Sequence, residues 1–376
     1  MYKVAYFTNI APHYRNRLWL MLAKDESFDF HFYFGRSPEN SIREVDFTAP
    51  EWQLCQQNLH TIKNFRYRHV LYWQRGVITA ILRQRHDILL FTGDMYVIST
   101  WLAAAVAWFR RIPVVFWGHG YYGSEKGATR FFRKLFNRLP KRHLLYGHHA
   151  RSHMAQHGIA AERLRVVYNS LDYDQHKKLR DQVVDPAFYP ARGYFRDPSL
   201  PLLIFIGRLT REKRLDLLLD AVISINASGS RVNLVIVGDG VEKACLEERA
   251  GARRECIYFY GPCYDEPEIG CLLANADLCV SPGMIGLTAI HSLSFGTPCC
   301  THGNLSFQMP EAEAIIEGEN GTLFNLEAMD LQDVIIKWLA HTDREKVRDA
   351  CYRRVDECYN PYYQVNVFKQ VISEIS

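Results

Sequence analysis

The second half of the chain sets short, nearly continuous apolar runs at regular intervals. "LLIFIG" (202–207), "NLVIVGDG" (233–240), "IYFYG" (257–261), "DLCVS" (277–281) and "PCCT" (298–301) each suit a strand, and "LDLLLDAVISI" (215–225) has helical spacing. A strand that is apolar at successive positions has both faces covered, as in a parallel sheet flanked by crossover helices. The first half repeats the pattern: residues 3–8, 28–34, 88–91, 114–117, 144–146 and 166–168 read as strands, and 15–23 as a helix. The expected fold is therefore α/β, with two doubly wound, Rossmann-like domains and an interdomain cleft at the carboxyl ends of their strands. A length of 376 residues suits two domains. Residues 181–201 hold four prolines and little periodicity, and read as the linker. The expected domains are 1–190 and 200–358.

Charge is unevenly divided. Residues 1–185 carry 27 Lys and Arg against 15 Asp and Glu, whereas residues 186–376 carry 18 against 26. A basic half beside an acidic half points to an anionic partner for the first domain. Much of the excess lies in "RFFRKLFNRLPKRH" (130–143), where Phe131, Phe132, Leu135, Phe136 and Leu139 recur at helical spacing among cations. This segment either packs on its own sheet or docks on anionic lipid, with Arg130, Arg133, Lys134 and Arg138 facing the membrane or acceptor. No nucleic-acid module accompanies it, so nucleic acid is not an expected partner. The chain opens directly on a strand, and its longest apolar run (97–109) is too short to span a bilayer. The expected location is the cytoplasm, or the inner face of the cytoplasmic membrane. Ten cysteines with no Cys-x-x-Cys pair read as reduced, mostly buried thiols.

Several formal motifs fail on context. "GHGYYG" (118–123) matches the dinucleotide pattern, but "RLPKRHLLY" (138–146) offers no carboxylate for a ribose. Asp172 and Asp174 form a carboxylate pair that reads as a solvated turn rather than a metal site. His149, His153 and His157 recur four apart without a carboxylate or Cys partner nearby, and read as a polar helix face. "GRLTREK" (207–213) differs. Arg208 leaves the carboxyl end of a strand and Lys213 follows before an apolar helix, a fork and a point charge that suit a diphosphate. "SPGMIGLTAIHSLSFGTP" (281–298) runs from a strand through a Gly turn into a helix, which leaves N–H groups for an anion.

In combination these stretches resemble the retaining glycosyltransferases of family 4, which have the GT-B fold. The resemblance rests on "FIGRLTREKRLDLLLDA" (205–221), "LVIVGDG" (234–240), "YFYG" (258–261), "LLANADLCVSPGMIGLTAIHSLSFGTP" (272–298) and "PEAEAIIEGENGTLF" (310–324), with "FWGHG" (116–120) and "VVYNSLD" (166–172) in the first domain. It implies a nucleotide-sugar donor on the second domain, an acceptor on the first, and a last helix (359–376) packed back on the first. Arg208 and Lys213 would hold the diphosphate beside Gly207, and Gly286, Leu287 and Thr288 would present the helix N-terminus to it. Gly261, Pro262 and Cys263 would face the base, and His119 would stand near the sugar and acceptor. No metal or other cofactor is expected, and UDP is the expected carrier. The chain departs from the family at its Glu-x7-Glu pair, whose positions hold Gly283 and His291. The implied function is retaining transfer of a sugar to a glycan or lipid-linked saccharide in surface polysaccharide synthesis. An epimerase or hydrolase of the same fold, and a non-catalytic nucleotide-sugar or glycan binder, are the alternatives.

Overall fold

The computed structural model describes all residues except 37–42, 69, 122–126, 184–192, 252 and 376. The chain divides into two units, residues 1–172 with 360–376 and residues 173–359. The expected boundary at the proline-rich linker is thus replaced by one at Asp172/Tyr173, and part of that linker lies outside the described residues.

In the first unit, β1 (Tyr2–Thr8), β2 (Phe28–Phe34) and β3 (Leu59–Thr61) run toward one edge. A separate antiparallel pair, β4 (Lys63–Tyr67) and β5 (Leu71–Arg75), precedes the return. β6 (Ile88–Thr92), β7 (Val114–Gly118), β8 (Arg142–Leu145) and β9 (Leu164–Val166) then build the other half, all parallel. The order β3-β2-β1-β6-β7-β8-β9 reverses between β1 and β6. Successive residues of β1 serve opposite faces. Val4 and Tyr6 join a core with Trp19, Phe30 and Trp117, while Ala5 and Phe7 join one with Leu89, Phe91 and Phe116. The first core is closed by α1 (Asn16–Lys24), and the second by α2 (Val77–Arg83), α3 (Ile98–Phe109) and α4 (Gly127–Phe136). Both faces being covered explains why these strands are apolar at successive positions. β9 ends at Val166 and so stops short of the expected 166–168 span, where Tyr168 has a left-handed backbone (φ +52°) that no strand accommodates.

The basic segment 130–143 is helical only to Phe136, and its last two residues open β8. Phe136 is the buried apolar residue of α4, whereas Phe131, Phe132 and Leu135 are exposed. Arg133 leaves the expected membrane-facing set. It is buried, and its guanidinium points inward to the Gly120 carbonyl at 3.4 Å. α5 (His148–Gln156) joins β8 to β9, and beyond Asp172 the first unit resumes with its C-terminal helix. The second unit opens with α6 (Tyr173–Val183), which carries Asp174 in its first turn and contacts the helices of that unit.

The second sheet is parallel, in the order β12-β11-β10-β13-β14-β15. Its elements alternate as expected: β10 (Leu202–Ile206), α7 (Leu215–Ala227), β11 (Asn233–Val237), α8 (Lys243–Ala250), β12 (Ile257–Gly261), α9 (Glu266–Ala274), β13 (Leu278–Val280) and α10 (Thr288–Ser294). β14 (Cys299–His302), β15 (Gly321–Phe324), α11 (Leu331–His341) and α12 (Arg344–Cys358) complete it. α9 begins sharply because the Asp265 side chain accepts the Glu268 N–H at 2.9 Å and Pro267 occupies the first turn. α13 (Pro361–Ile375) belongs to the first unit. Its Val365, Phe368, Val371 and Ile372 are buried in the first core, and Lys141 Nζ donates to the Ile375 carbonyl at 2.9 Å. All ten cysteines are free thiols.

Two buried histidines make the first unit acid-sensitive. Burial, with His31 and Lys3 nearby, holds His86 down at about 4, and burial does the same to His143. The unfolded chain takes up these protons near pH 6.5, whereas the folded unit refuses them until about pH 4. Stability is therefore full above pH 6.5 and falls through that window, by up to about 3 kcal/mol for each group. Urea midpoints measured across pH 7 to 4 should fall, and His143→Gln should flatten the curve. An unaltered slope in that variant would remove His143 from the account.

Candidate functional site

The order of the second sheet reverses between β10 and β13, so the loops leaving their carboxyl ends diverge and open a crevice. The chain from β10 enters it at Gly207 and Arg208, whose side chain is exposed. A short turn, Arg211–Lys213, then meets the loop from β13. Gly283 N–H donates to the Lys213 carbonyl at 3.0 Å and Met284 N–H to the Glu212 carbonyl at 3.2 Å. In return, Lys213 Nζ donates to the Met284 carbonyl. A Cβ on Gly283 would lie 1.9 Å from the Glu212 oxygen, so only glycine permits this approach. Burial, and next the Arg208 guanidinium, push the Lys213 ammonium down, while Glu311 and Glu212 oppose the shift. Arg208 is thus near enough to Lys213 to act on its ammonium.

Gln308 fixes the β13 loop from the other side. Its Nε2 donates to the Gly283 carbonyl at 3.2 Å and Thr301 Oγ1 at 2.7 Å, and its Oε1 accepts from Ile285 N–H at 3.1 Å. At Gly286 the backbone turns left-handed (φ +59°), Leu287 follows, and Ala289 N–H closes on the Gly286 carbonyl at 3.0 Å. Thr288 Oγ1 donates to the Ile206 carbonyl at 3.1 Å, which ties the start of α10 to β10. β12 ends at Gly261, followed by Pro262 and Cys263. Burial pushes the Cys263 thiol up to about 11, and its sulfur lies 3.3 Å from Glu268 Oε2.

His291 does not stand alone. Its Nε2 is 3.0 Å from Glu266 Oε2, and His176 Nε2 is 3.2 Å from the same oxygen. The imidazoles stack at 4.9 Å and 11°. Burial opposes the Glu266 charge, but the two imidazoles outweigh it and hold the carboxyl well below its usual range. Among the described residues this is the one group with three metal-ligand atoms together, all within 4.8 Å. An imidazole binds an ion along its ring plane, and two parallel stacked rings cannot both do so toward one ion without tilting. The arrangement fits two N–H donors on one carboxylate. Sequence separations of 25 and 90 residues gave no signal of this grouping. The buried Glu311 and the role of Gln308 were likewise not legible before folding.

In the first unit, His119 follows β7. Its ring meets that of Tyr146 at 4.9 Å, and burial, with Arg15 and Arg133 nearby, holds it down at about 4. It is neutral at pH 7. Arg130, Lys134 and Arg138 are exposed, with Arg130 Nη2 2.9 Å from His157 Nε2. The histidine series proves partly packed, since His153 and His157 stack at 4.9 Å. The end of the "GHGYYG" match, Tyr122 and Gly123, lies outside the described residues.

Residues 200–341 match the family model described as "Glycosyl transferases group 1", and residues 28–175 match "Glycosyltransferase Family 4". The chain belongs to the family 4 glycosyltransferases of GT-B fold. Among solved structures, HepE of Anabaena in complex with UDP superposes with a TM-score of 0.68 at 17% identity, covering 99% of this chain and 100% of that one. The apo lipopolysaccharide outer core galactosyltransferase WaaB gives 0.69 at 16% identity, covering 99% of each. Both likenesses are of fold. A Mycobacterium tuberculosis GDP-mannose-dependent alpha-(1-6)-phosphatidylinositol dimannoside mannosyltransferase is 37% identical over 110 residues, 28% of this chain and 28% of the relative. An uncharacterized 41.2 kDa protein in the cps region of Klebsiella pneumoniae is 24% identical over 218 residues, 57% of this chain and 56% of that protein. The match to the mycobacterial enzyme thus spans less than a third of its length.

Proposed function

We propose that this family 4 member transfers a sugar, with retention, from a nucleotide-diphosphate donor to a glycan or lipid-linked saccharide acceptor during surface polysaccharide synthesis. The observation that carries the reading is Lys213, tied to the β13 loop through the Gly283 backbone contact, with Arg208 near enough to push its ammonium down. Two cations there offset the charge that develops on a leaving diphosphate. The Gly286–Leu287–Thr288 turn adds backbone donors, and Gly261, Pro262 and Cys263 take the base. The reaction needs no metal on this reading, because cations and N–H groups stabilise the leaving group. HepE solved with UDP supports a uridine carrier, and the mycobacterial relative is named for GDP-mannose. The acceptor binds the first unit beside the neutral His119.

Glu266 supplies the carboxylate that the family places at position 291, steadied by His176 and His291. A carboxylate accepts hydroxyl hydrogen bonds without offering a donor, which suits a ribose diol. A thermal-shift panel of UDP, GDP, dTDP and CMP, each with and without sugar, tests donor binding. A ligand at 100 times its dissociation constant stabilises by about 2.7 kcal/mol. Glu266→Gln should weaken the preferred nucleotide while affecting its 2′-deoxy form less, and equal losses would remove Glu266 from the ribose. Nucleotide-sugar breakdown without acceptor would favour the hydrolase or epimerase reading, and binding without turnover the non-catalytic one.

The acceptor, on this proposal, resides on an anionic membrane. Exposed Phe131, Phe132 and Leu135 of α4 lie among Arg130, Lys134 and Arg138, and α3 exposes Ile98, Leu102, Trp108 and Phe109 from the same sheet face. No helix among the described residues is long and apolar enough to cross a membrane. Binding to anionic liposomes should fall with salt and be lost when Arg130, Lys134 and Arg138 are neutralised together. Salt-independent binding, or none, would count against it.

A further inference from the structure

Arg15 is a buried cation with no carboxylate beside it among the described residues. It lies in the turn that follows β1, at the carboxyl edge where the first sheet reverses its strand order, and is 9% exposed. Its Nη1 donates to the Tyr6 hydroxyl at 3.1 Å and its Nη2 to the Tyr146 hydroxyl. The guanidinium carbon sits 4.1 Å from the centre of the Trp117 ring. Nε is buried without a hydrogen-bond partner, and Arg15 enters no ion pair among the described residues. Its electrostatic neighbours are the tyrosines Tyr146, Tyr6 and Tyr14.

A buried charge is ordinarily paired, because removing an ion from water is costly. The aromatic face and the neutral hydroxyls return less than a carboxylate would. Among the described residues the box therefore orients the guanidinium without supplying an opposite charge. Such edges of a parallel sheet are where ligands bind. A planar guanidinium with hydroxyl donors around it matches an oxoanion, above all phosphate. Its position next to His119 puts that charge at the acceptor side of the proposed reaction.

We propose that Arg15, with the hydroxyls of Tyr6 and Tyr146, forms a phosphate subsite in the first unit, separate from the Arg208–Lys213 cations. It receives a phosphate carried by a substrate. The subsite does not depend on sugar transfer, and its test does not use turnover.

Amide exchange of the full chain, read over residues 9–18 with inorganic pyrophosphate as the probe, tests this. At ten times the dissociation constant, local opening should slow about tenfold. Lys213→Ala should retain that protection, whereas Arg15→Gln should lose it. Arg15→Lys should keep a weaker response, and serves as the reading if Arg15→Gln fails to melt cooperatively. Protection of these residues by UDP would assign the phosphate to the donor. Protection by phosphatidic acid vesicles but not by phosphatidylcholine vesicles would assign it to a lipid-linked acceptor. Absence of protection by every probe, or protection unchanged in Arg15→Gln, would overturn the subsite. Those results would leave Arg15 as a packing residue and the transfer reaction untouched.

Discussion

Lys213→Ala should lower turnover about 10²–10³-fold, equivalent to about 2.7–4 kcal/mol of transition-state stabilisation. The side chain sits in the crevice with its ammonium on the Met284 carbonyl and its own carbonyl on Gly283 N–H. Truncation removes the charge and leaves the backbone contacts that shape the loop. Burial and the neighbouring Arg208 make this ammonium costly to keep, and the diphosphate would repay that cost only when bound. Nucleotide affinity should fall along with turnover, and Arg208→Ala should follow the same course. A cooperative melt near that of the parent would show that folding is intact. Unchanged turnover in both variants would sink the assignment of these cations to the leaving group.

The second large effect comes from reinstating the family's carboxylate. Gly283→Glu should fail to improve activity, and should cost about 3 kcal/mol or more in stability. The first atom of any side chain there would stand 1.9 Å from the Glu212 oxygen and 2.8 Å from the Lys213 carbonyl carbon. Two backbone segments must separate to admit it, and Lys213 rides on one of them. In a unit of this size each 1 kcal/mol lowers the melting temperature by roughly 2–4 °C, so a fall of about 6–12 °C is expected. Turnover should drop about a hundredfold through the displaced cation. Gly283→Ala separates clash from charge, since its Cβ meets the same oxygen. A melt within about 2 °C of the parent in that variant would show the loop to be yielding, against the packing argument.

His291 reads differently once its surroundings are known. Adding a carboxylate there would place it against Glu266, whose oxygen lies 3.0 Å from the imidazole. Two carboxylates at that separation raise each other's pKa, and the two N–H donors would be reduced to one. On the proposed reading, the family's two glutamates are replaced by unlike means. One position supports a backbone docking contact, and the other helps to hold a carboxylate that arrives from a different helix.

Much of the architecture was legible because parallel strands buried on both faces must be apolar throughout. The runs at 202–207 and 233–240 could scarcely have been anything else. The turn at Gly286 was legible as well, since it acts on neighbouring backbone within a few residues. Periodicity misled where local chemistry ended an element, as at Tyr168, and where one helical position faces inward. Arg133 has the same composition as its neighbours, and only the rotation of α4 against its sheet separates it from Lys134.

By itself the sequence determined two doubly wound sheets and the cations that follow β10, because strand periodicity and turn chemistry act over a few residues. Only the tertiary structure decided that Glu266 meets His176 and His291, that Gly283 must be bare, and that Arg15 is buried among aromatic rings. Those contacts join residues tens of positions apart. They are fixed by how helices pack on a finished sheet, which no local rule encodes.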